Sequence, residues 1–389
     1  MRKITPFLLG GLSFLFVTCD KDSGDDPGVT TVAEDKQNIE ALFDRTLDLA
    51  KTLESGSFVQ ALVKFTGLQN GEAKNGDWIE EVFEPLDNKA GISDYLDDNE
   101  RFSLEQFKGK YDYQRGSKSW TKTNDTKIIV NFPDSPTTTS NNCSVVISEY
   151  SDVQVTVNGD KIYVPSKIVA SVSQNGTVIA SCNASISWET SGFITVKDAS
   201  ITLTTAPYTH TATIRQAKST EYDISATLFE GSDNPPIAIA SKLKLAQAID
   251  ADFFVDDEPP INYVYATITK GDLAYDGSLD VNTLTKYDNI TTDQINSVMS
   301  VNILHKGAKI GELKLKNIDH DEYVFVNYKD GTSDNTELYY EPFLDGLDNI
   351  LKKYNNNDAV IGYRRASARF FAQKYNRLKK AIHALSHAD

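Results

Sequence analysis

The stretch Ile168–Trp188, IVASVSQNGTVIASCNASISW, decides the fold. Apolar residues return at every second position, Ile168, Ala170 and Val172 and then Val178, Ala180, Cys182, Ala184, Ile186 and Trp188, while Ser and Asn fill most of the places between. A period of two belongs to a strand whose successive side chains point to opposite faces, and small polar residues on one face leave that face in water. Asn175-Gly176 parts the two halves, and both residues tolerate the positive φ of a tight hairpin turn. The segment predicts two antiparallel strands that share one apolar face.

The same period extends both ways. It carries Ile128/Val130/Phe132, Cys143/Val145/Ile147, Ile201/Leu203, His210/Ala212/Ile214, Tyr222/Ile224/Ala226/Leu228, Ile237/Ile239, Leu243/Leu245 and Val264/Ala266/Ile268, with Asn158-Gly159 as another turn. Connections this short leave no room for crossover helices, so the strands predict a meander. Before Tyr111 the period is helical. Thr31-Val32-Ala33-Glu34 fits a capping box, Ile39, Leu42, Phe43, Leu47, Ala50 and Leu53 make an apolar stripe, and Gly56 is the stop. Trp78, Ile79, Val82 and Phe83 predict a short turn ended by Pro85, and Ser103-Leu104-Glu105-Gln106 another before Gly109.

Asp250–Pro260 interrupts the strands as a linker or long loop. Beyond it Thr291-Thr292-Asp293-Gln294 caps a helix, strands recur at Val301/Ile303, Leu313/Leu315 and Val324/Val326, and Lys306-Gly307 and Asp330-Gly331 are turns. Pro342 is read as the start of a helix bearing Phe343, Leu347, Ile350, Leu351 and Tyr354. The expected fold is α+β: a large antiparallel β-meander sheet or open barrel of about ten strands, with an N-terminal helix and C-terminal helices packed on it. The expected segments are a signal peptide (1–18), an acidic tether (19–33), a helical lead (34–110), the antiparallel β region (111–275), an α+β region continuing the sheet (276–361) and a basic amphipathic helix (362–389).

Met1-Arg2-Lys3 precedes an apolar run from Ile4 to Val17, too short to span a bilayer, and Thr18-Cys19 is followed by Asp20, Lys21, Asp22, Ser23, Gly24, Asp25 and Asp26. These residues resemble the lipobox of bacterial lipoproteins, with Phe16 and Thr18 standing where that family usually has Leu and a small residue. The acidic stretch after Cys19 resembles the signal by which Bacteroidota send lipoproteins to the outer face. The resemblance covers only the first two dozen residues. It implies a diacylglyceryl thioether on Cys19, further acylation of the freed amine, and a chain anchored in the outer membrane and displayed at the cell surface. More than one acyl chain makes such an anchor stable.

Removing residues 1–18 takes Arg2 and Lys3 and no acid, so 39 basic residues become 37 against 55 acidic ones, a net −18. That charge repels phosphate backbones and disfavours nucleic acid. Cys143 and Cys182 both fall in the apolar phase of their strands, and in an oxidising compartment they either pair as a disulfide or stay buried thiols.

The C-terminal segment steps Phe371, Tyr375, Leu378, Ile382, Leu385, one apolar seam surrounded by Arg364, Arg365, Arg369, Lys374, Arg377, Lys379 and Lys380. Such a helix either covers a core with its charges answering an acidic surface, or meets anionic headgroups or an acidic partner. Asp252, Asp256, Asp257 and Glu258 are oxygen donors for a cation, but their spacing fits no EF-hand and solvated loop acids is the simpler reading. Asp319-His320-Asp321-Glu322 reads as a turn, and His210 as a satisfied core histidine. No HExxH, GxSxG, Walker loop or CxxC occurs, and Ser241-Lys242-Leu243-Lys244 spells S-x-x-K inside a β pattern, away from a helix start. Tyr263/Tyr265 and Tyr339-Tyr340 suit a sugar-stacking platform and equally an ordinary strand surface.

Together these features point to a non-catalytic binding or carrier lipoprotein for an apolar ligand such as a lipid, with no cofactor. A surface module for glycan or protein is the alternative, and a hydrolase without a recognisable motif is third.

Overall fold

The computed structural model describes residues 30–69, 72–90, 104–157, 160–189, 195–230, 236–249, 261–284, 286, 291–318 and 321–351. Cys19, Asn158-Gly159, Asp250–Pro260 with Asp252, Asp256, Asp257 and Glu258, Asp319-His320, and the basic segment from Arg364 to Lys380 all lie outside the described residues.

Helix α1 (Val32–Ser55) opens at the expected capping box: the Glu34 carboxylate accepts from the Thr31 amide at 2.6 Å and the Glu34 amide donates back to Thr31 Oγ1 at 3.3 Å. After Gly56 come α2 (Ser57–Thr66), a small hairpin β1 (Leu68–Gln69) and β2 (Glu72–Ala73), α3 (Gly76–Ala90) and α4 (Leu104–Phe107). Pro85 does not end its helix, which runs on to Ala90. Val82 and Leu86, one turn apart, are both buried in the same core, so packing carries the helix past the missing amide.

The strands are β3 (Gly109–Gln114), β4 (Ser119–Thr123), β5 (Ile128–Phe132), β6 (Cys143–Val157), β7 (Asp160–Gln174), β8 (Thr177–Glu189), β9 (Thr195–Thr205), β10 (Tyr208–Lys218), β11 (Glu221–Glu230), β12 (Ile237–Leu245), β13 (Ile261–Lys270), β14 (Leu273–Asp280), β15 (Met299–His305), β16 (Ala308–Ile318), β17 (Asp321–Tyr328) and β18 (Ser333–Asn335). Among the described residues they number sixteen in one sheet rather than about ten, and the strands beyond Asp250–Pro260 continue that sheet as expected. Hydrogen-bonded neighbours follow chain order from β5 to β18, and β3 lies between β5 and β4, pairing parallel with β5. Helices α5 (Val281–Leu284), α6 (Thr292–Val298) and α7 (Glu337–Leu351) complete the fold. Asn175-Gly176 and Lys306-Gly307 take the expected hairpin turns, with φ of 52° and 77° in the first and 50° and 80° in the second.

Helix α7 starts five residues before Pro342. Asn335 Oδ1 accepts from the Glu337 amide at 3.0 Å, and Tyr339 in the first turn is buried, so the helix is set by its cap and this anchor.

Contacts group the described residues into two compact units, with the division inside β10, between Ile214 and Arg215. The first unit holds residues 52–214. Its core joins Val82 and Leu86 of α3 and Phe107 of α4 to Tyr111, Tyr113, Trp120, Ile128, Phe132 and Cys143, one face of the strands. The buried Trp120 indole donates to the Val82 carbonyl at 2.7 Å and the Tyr111 hydroxyl to that of Phe107 at 2.8 Å, so neither ring buries an unmet polar group. On β8 the expected alternation holds around Ala184, which is buried between exposed Asn183 and Ser185. It fails at the start of the strand, where a register shift against β7 leaves Val178 exposed and buries Ile179 instead.

The second unit holds residues 30–51 and 215–351, so α1 packs here and not with the helices that follow it in the chain. Ile39 of α1 and Tyr339 of α7 close over Leu273, Ile303, Ile310, Val326 and Tyr328. Leu284 of α5 and Ile295 of α6 pack on Leu279, Met299 and Leu315.

Candidate functional site

Register places the apolar side chains of the second unit in parallel rows on the face that carries its helices. Ala226, Ile239, Ile268, Tyr275 and Ile303 stand side by side across β11 to β15, and the adjoining row is Ile224, Ser241, Ala266, Gly277 and Val301. The α1/α7 cluster buries the strand ends on one side of these rows, and the α5/α6 cluster those on the other. Between them every residue of the two rows except Ile303 stays only half-buried. Ser241, Ala266 and Gly277 are small and adjacent, so the second row dips to a shallow apolar trough across β12 to β14, about 10 Å at ~4.8 Å per strand step. Gly277 lines its floor, and a Cβ there would lie 3.2 Å from Val301 Cγ2.

The trough is almost free of polar demand. The Ser241 hydroxyl is satisfied, donating to the Tyr265 carbonyl at 3.0 Å. Burial, with the nearby Tyr328, pushes the Tyr275 phenol above its ordinary range, so it stays neutral. One charged group stands in the wall. Lys270 continues the phase of Val264, Ala266 and Ile268, faces the same side, and is 3% exposed between Ile237 and Leu273 of the neighbouring strands. Burial, and then the Arg45 guanidinium of α1, bring its ammonium down to about 8.

Two other buried charges have structural surroundings. Asp134 accepts from Lys64 Nζ at 2.6 Å, Gln174 Nε2 at 2.7 Å and Thr138 Oγ1 at 2.6 Å, which staples the β5–β6 loop. Asp35 accepts from Thr30 Oγ1 at 2.5 Å and lies 3.3 Å from Lys329 Nζ, while Lys36 pairs with Asp334 at 2.8 Å. Asp334 also accepts from the Tyr339 hydroxyl at 2.6 Å, and the Tyr328 and Tyr339 hydroxyls bond to each other. Tyr339 is thus part of a buried tie between α7 and β17, not of an open platform with Tyr340.

Of the two alternatives for Cys143 and Cys182, the structure has the free thiols, with Cys143 buried and Cys182 half-buried. Cys143 lies opposite Gln174, whereas Cys182 lies opposite Ala170, which faces Ile147. The thiols are therefore two strands apart and four residues out of step, roughly 16 Å, where a disulfide needs Cα atoms within about 7 Å. His210 is half-buried, bonded to Thr205 Oγ1 at 2.9 Å, with its pKa lowered by burial, as a satisfied strand histidine should be. Tyr263 is exposed and lies on the opposite, polar face with Tyr265, whose hydroxyl bonds to Asp276. Among the described residues, no group of three or more His, Cys, Asp or Glu side chains could hold a metal ion, and no helix is long and apolar enough to cross a membrane.

Sequence reasoning passed over Lys270. The signal was there: a lysine in the apolar phase of its own strand. Comparison with family models, with curated proteins and with solved structures finds no match.

Proposed function

We propose that the protein is a lipid-anchored, surface-displayed bacterial binding protein, non-catalytic, that takes an apolar ligand in the trough of its second unit. The observation that carries this reading is the pair of half-buried apolar rows left between two helical clusters, in a chain of net charge −16. Burying the part of these rows that the described residues leave accessible against an apolar chain yields about 25 cal/mol per Å². The anchor rests on the run from Met1 to Asp26 and its resemblance to lipoprotein signals.

The test is native mass spectrometry of the mature chain carrying Cys19→Ser, after incubation with extracted bacterial lipids. Stoichiometric adducts are expected, and they should vanish in Ala266→Phe, which fills the trough. A protein that retains no lipid, or an Ala266→Phe variant that retains as much as the parent, sinks the reading. A surface module for glycan or protein is the second reading, favoured by exposed Tyr263 and by Asp276, whose Oδ1 is buried without a hydrogen-bond partner on the polar face. Glycan-array hits without lipid adducts would put it first.

A further inference from the structure

The trough also fits a cover drawn from the same chain, on the premise that the trough is where an apolar ligand binds. Its dimensions are those of one helix. On β14, Tyr275 packs with the α1/α7 cluster and Leu279 with the α5/α6 cluster. Four residues separate them, ~13 Å at about 3.3 Å per residue, and a helix with its side chains is about 10–12 Å wide. Across the strands the half-buried rows run from β11 to β15, four steps or ~19 Å. The apolar seam Phe371, Tyr375, Leu378, Ile382 and Leu385 extends ~21 Å as a helix at about 1.5 Å per residue. Leu378, at the middle of the seam, matches the dip made by Ser241, Ala266 and Gly277.

Charge matches as well. Helix α1 carries six acidic residues to three basic ones, and α7 carries Glu337, Glu341, Asp345 and Asp348 and no basic residue. Residues 364–389 hold seven Lys and Arg side chains and one acid, Asp389. They follow α7 in the chain, and the intervening residues 352–363 reach ~40 Å when extended, enough for any part of the trough. We infer that residues 364–389 form an amphipathic helix that seats its seam in the trough, with its basic flanks beside the acidic α1 and α7. An apolar ligand then binds by displacing this segment.

The experiment follows binding of the neutral dye Nile red to the full mature chain carrying Cys19→Ser. Leu378→Asp together with Ile382→Asp puts charge into the seam. That chain is expected to bind the dye about tenfold more tightly than the parent, the gain from releasing a cover closed about nine-tenths of the time. A synthetic peptide of residues 362–389 should compete this gain away. The parent should itself gain affinity when salt rises from about 50 to about 500 mM, which screens the ion pairs of the cover. That readout stands even where the double substitution fails to fold. Adding Ala266→Phe, which fills the trough, should erase both gains. Equal binding by parent and double variant, with no effect of salt, overturns the cover and leaves the trough standing. So does capture of the parent by phosphatidylglycerol vesicles that the double substitution abolishes while Nile red binding is unchanged, which assigns the segment to a membrane surface. If no chain binds Nile red, or Ala266→Phe leaves binding intact, the failure belongs to the trough itself.

Discussion

Asp134 is the most consequential polar side chain of the first unit. Burial pushes its carboxyl up, but Lys64, Thr138, Asn142 and Gln174 more than compensate and bring it down to about 2. A folded pKa below the unfolded value contributes stability that is present above the ordinary carboxylate range and lost as pH falls toward 2. At roughly 1.4 kcal/mol per unit, the shift is worth about 2 kcal/mol. Asp134→Asn should therefore lower stability at pH 7 by about that amount in urea titrations, with the gap to the parent closing below pH 3; a gap that persists there would contradict the ionic account. The cysteines make a second prediction. Cys143 is pushed up to about 11 by burial and by Asp134, so it should resist maleimide in the folded chain, and both Cys143 and Cys182 should react after unfolding without any reductant. Lys270 shows why residue-scale reading of sequence falls short: its phase was visible, but its burial depends on α1, more than 200 positions away.

At the scale of elements, local signals were the most legible. Both capping boxes form, because a Thr and an acid or amide three residues on meet whatever surrounds them. Thr291→Ala should cost about 1 kcal/mol, seen as a lower urea midpoint at unchanged slope. Gly56 is a different case. It ends α1 as expected, but a Cβ there would stand 2.7 Å from the Ala206 carbonyl, a backbone atom brought in from the β9–β10 turn. Gly56→Ala should cost about 1–3 kcal/mol by the same measurement, and a neutral outcome would show that the turn yields. The proline helices were misread for one reason. A proline sets a local preference, and a few buried side chains on either side of it, Val82 and Leu86 or Tyr339 and Phe343, outweigh that preference.

For the whole molecule, two compact units imply two places where stability can be changed separately. In calorimetry Asp134→Asn should lower the transition of the first unit and Thr291→Ala that of the second; equal shifts in a single transition would show that the units unfold together. In bacterial cells Cys19→Ser should release the mature chain from membranes, whereas retention would remove the anchor from the proposal. Composition, charge and a period of two sufficed by themselves to determine an acidic α+β chain with a long antiparallel meander, because strand alternation is written residue by residue. Tertiary structure alone decided that sixteen strands share one order, that α1 packs with β14 to β17, and that Cys143 and Cys182 stay apart. Those outcomes depend on register and on contacts between distant segments. A one-residue slip would turn every side chain of a strand to the other face, and nothing local to the strand records which neighbour it will meet.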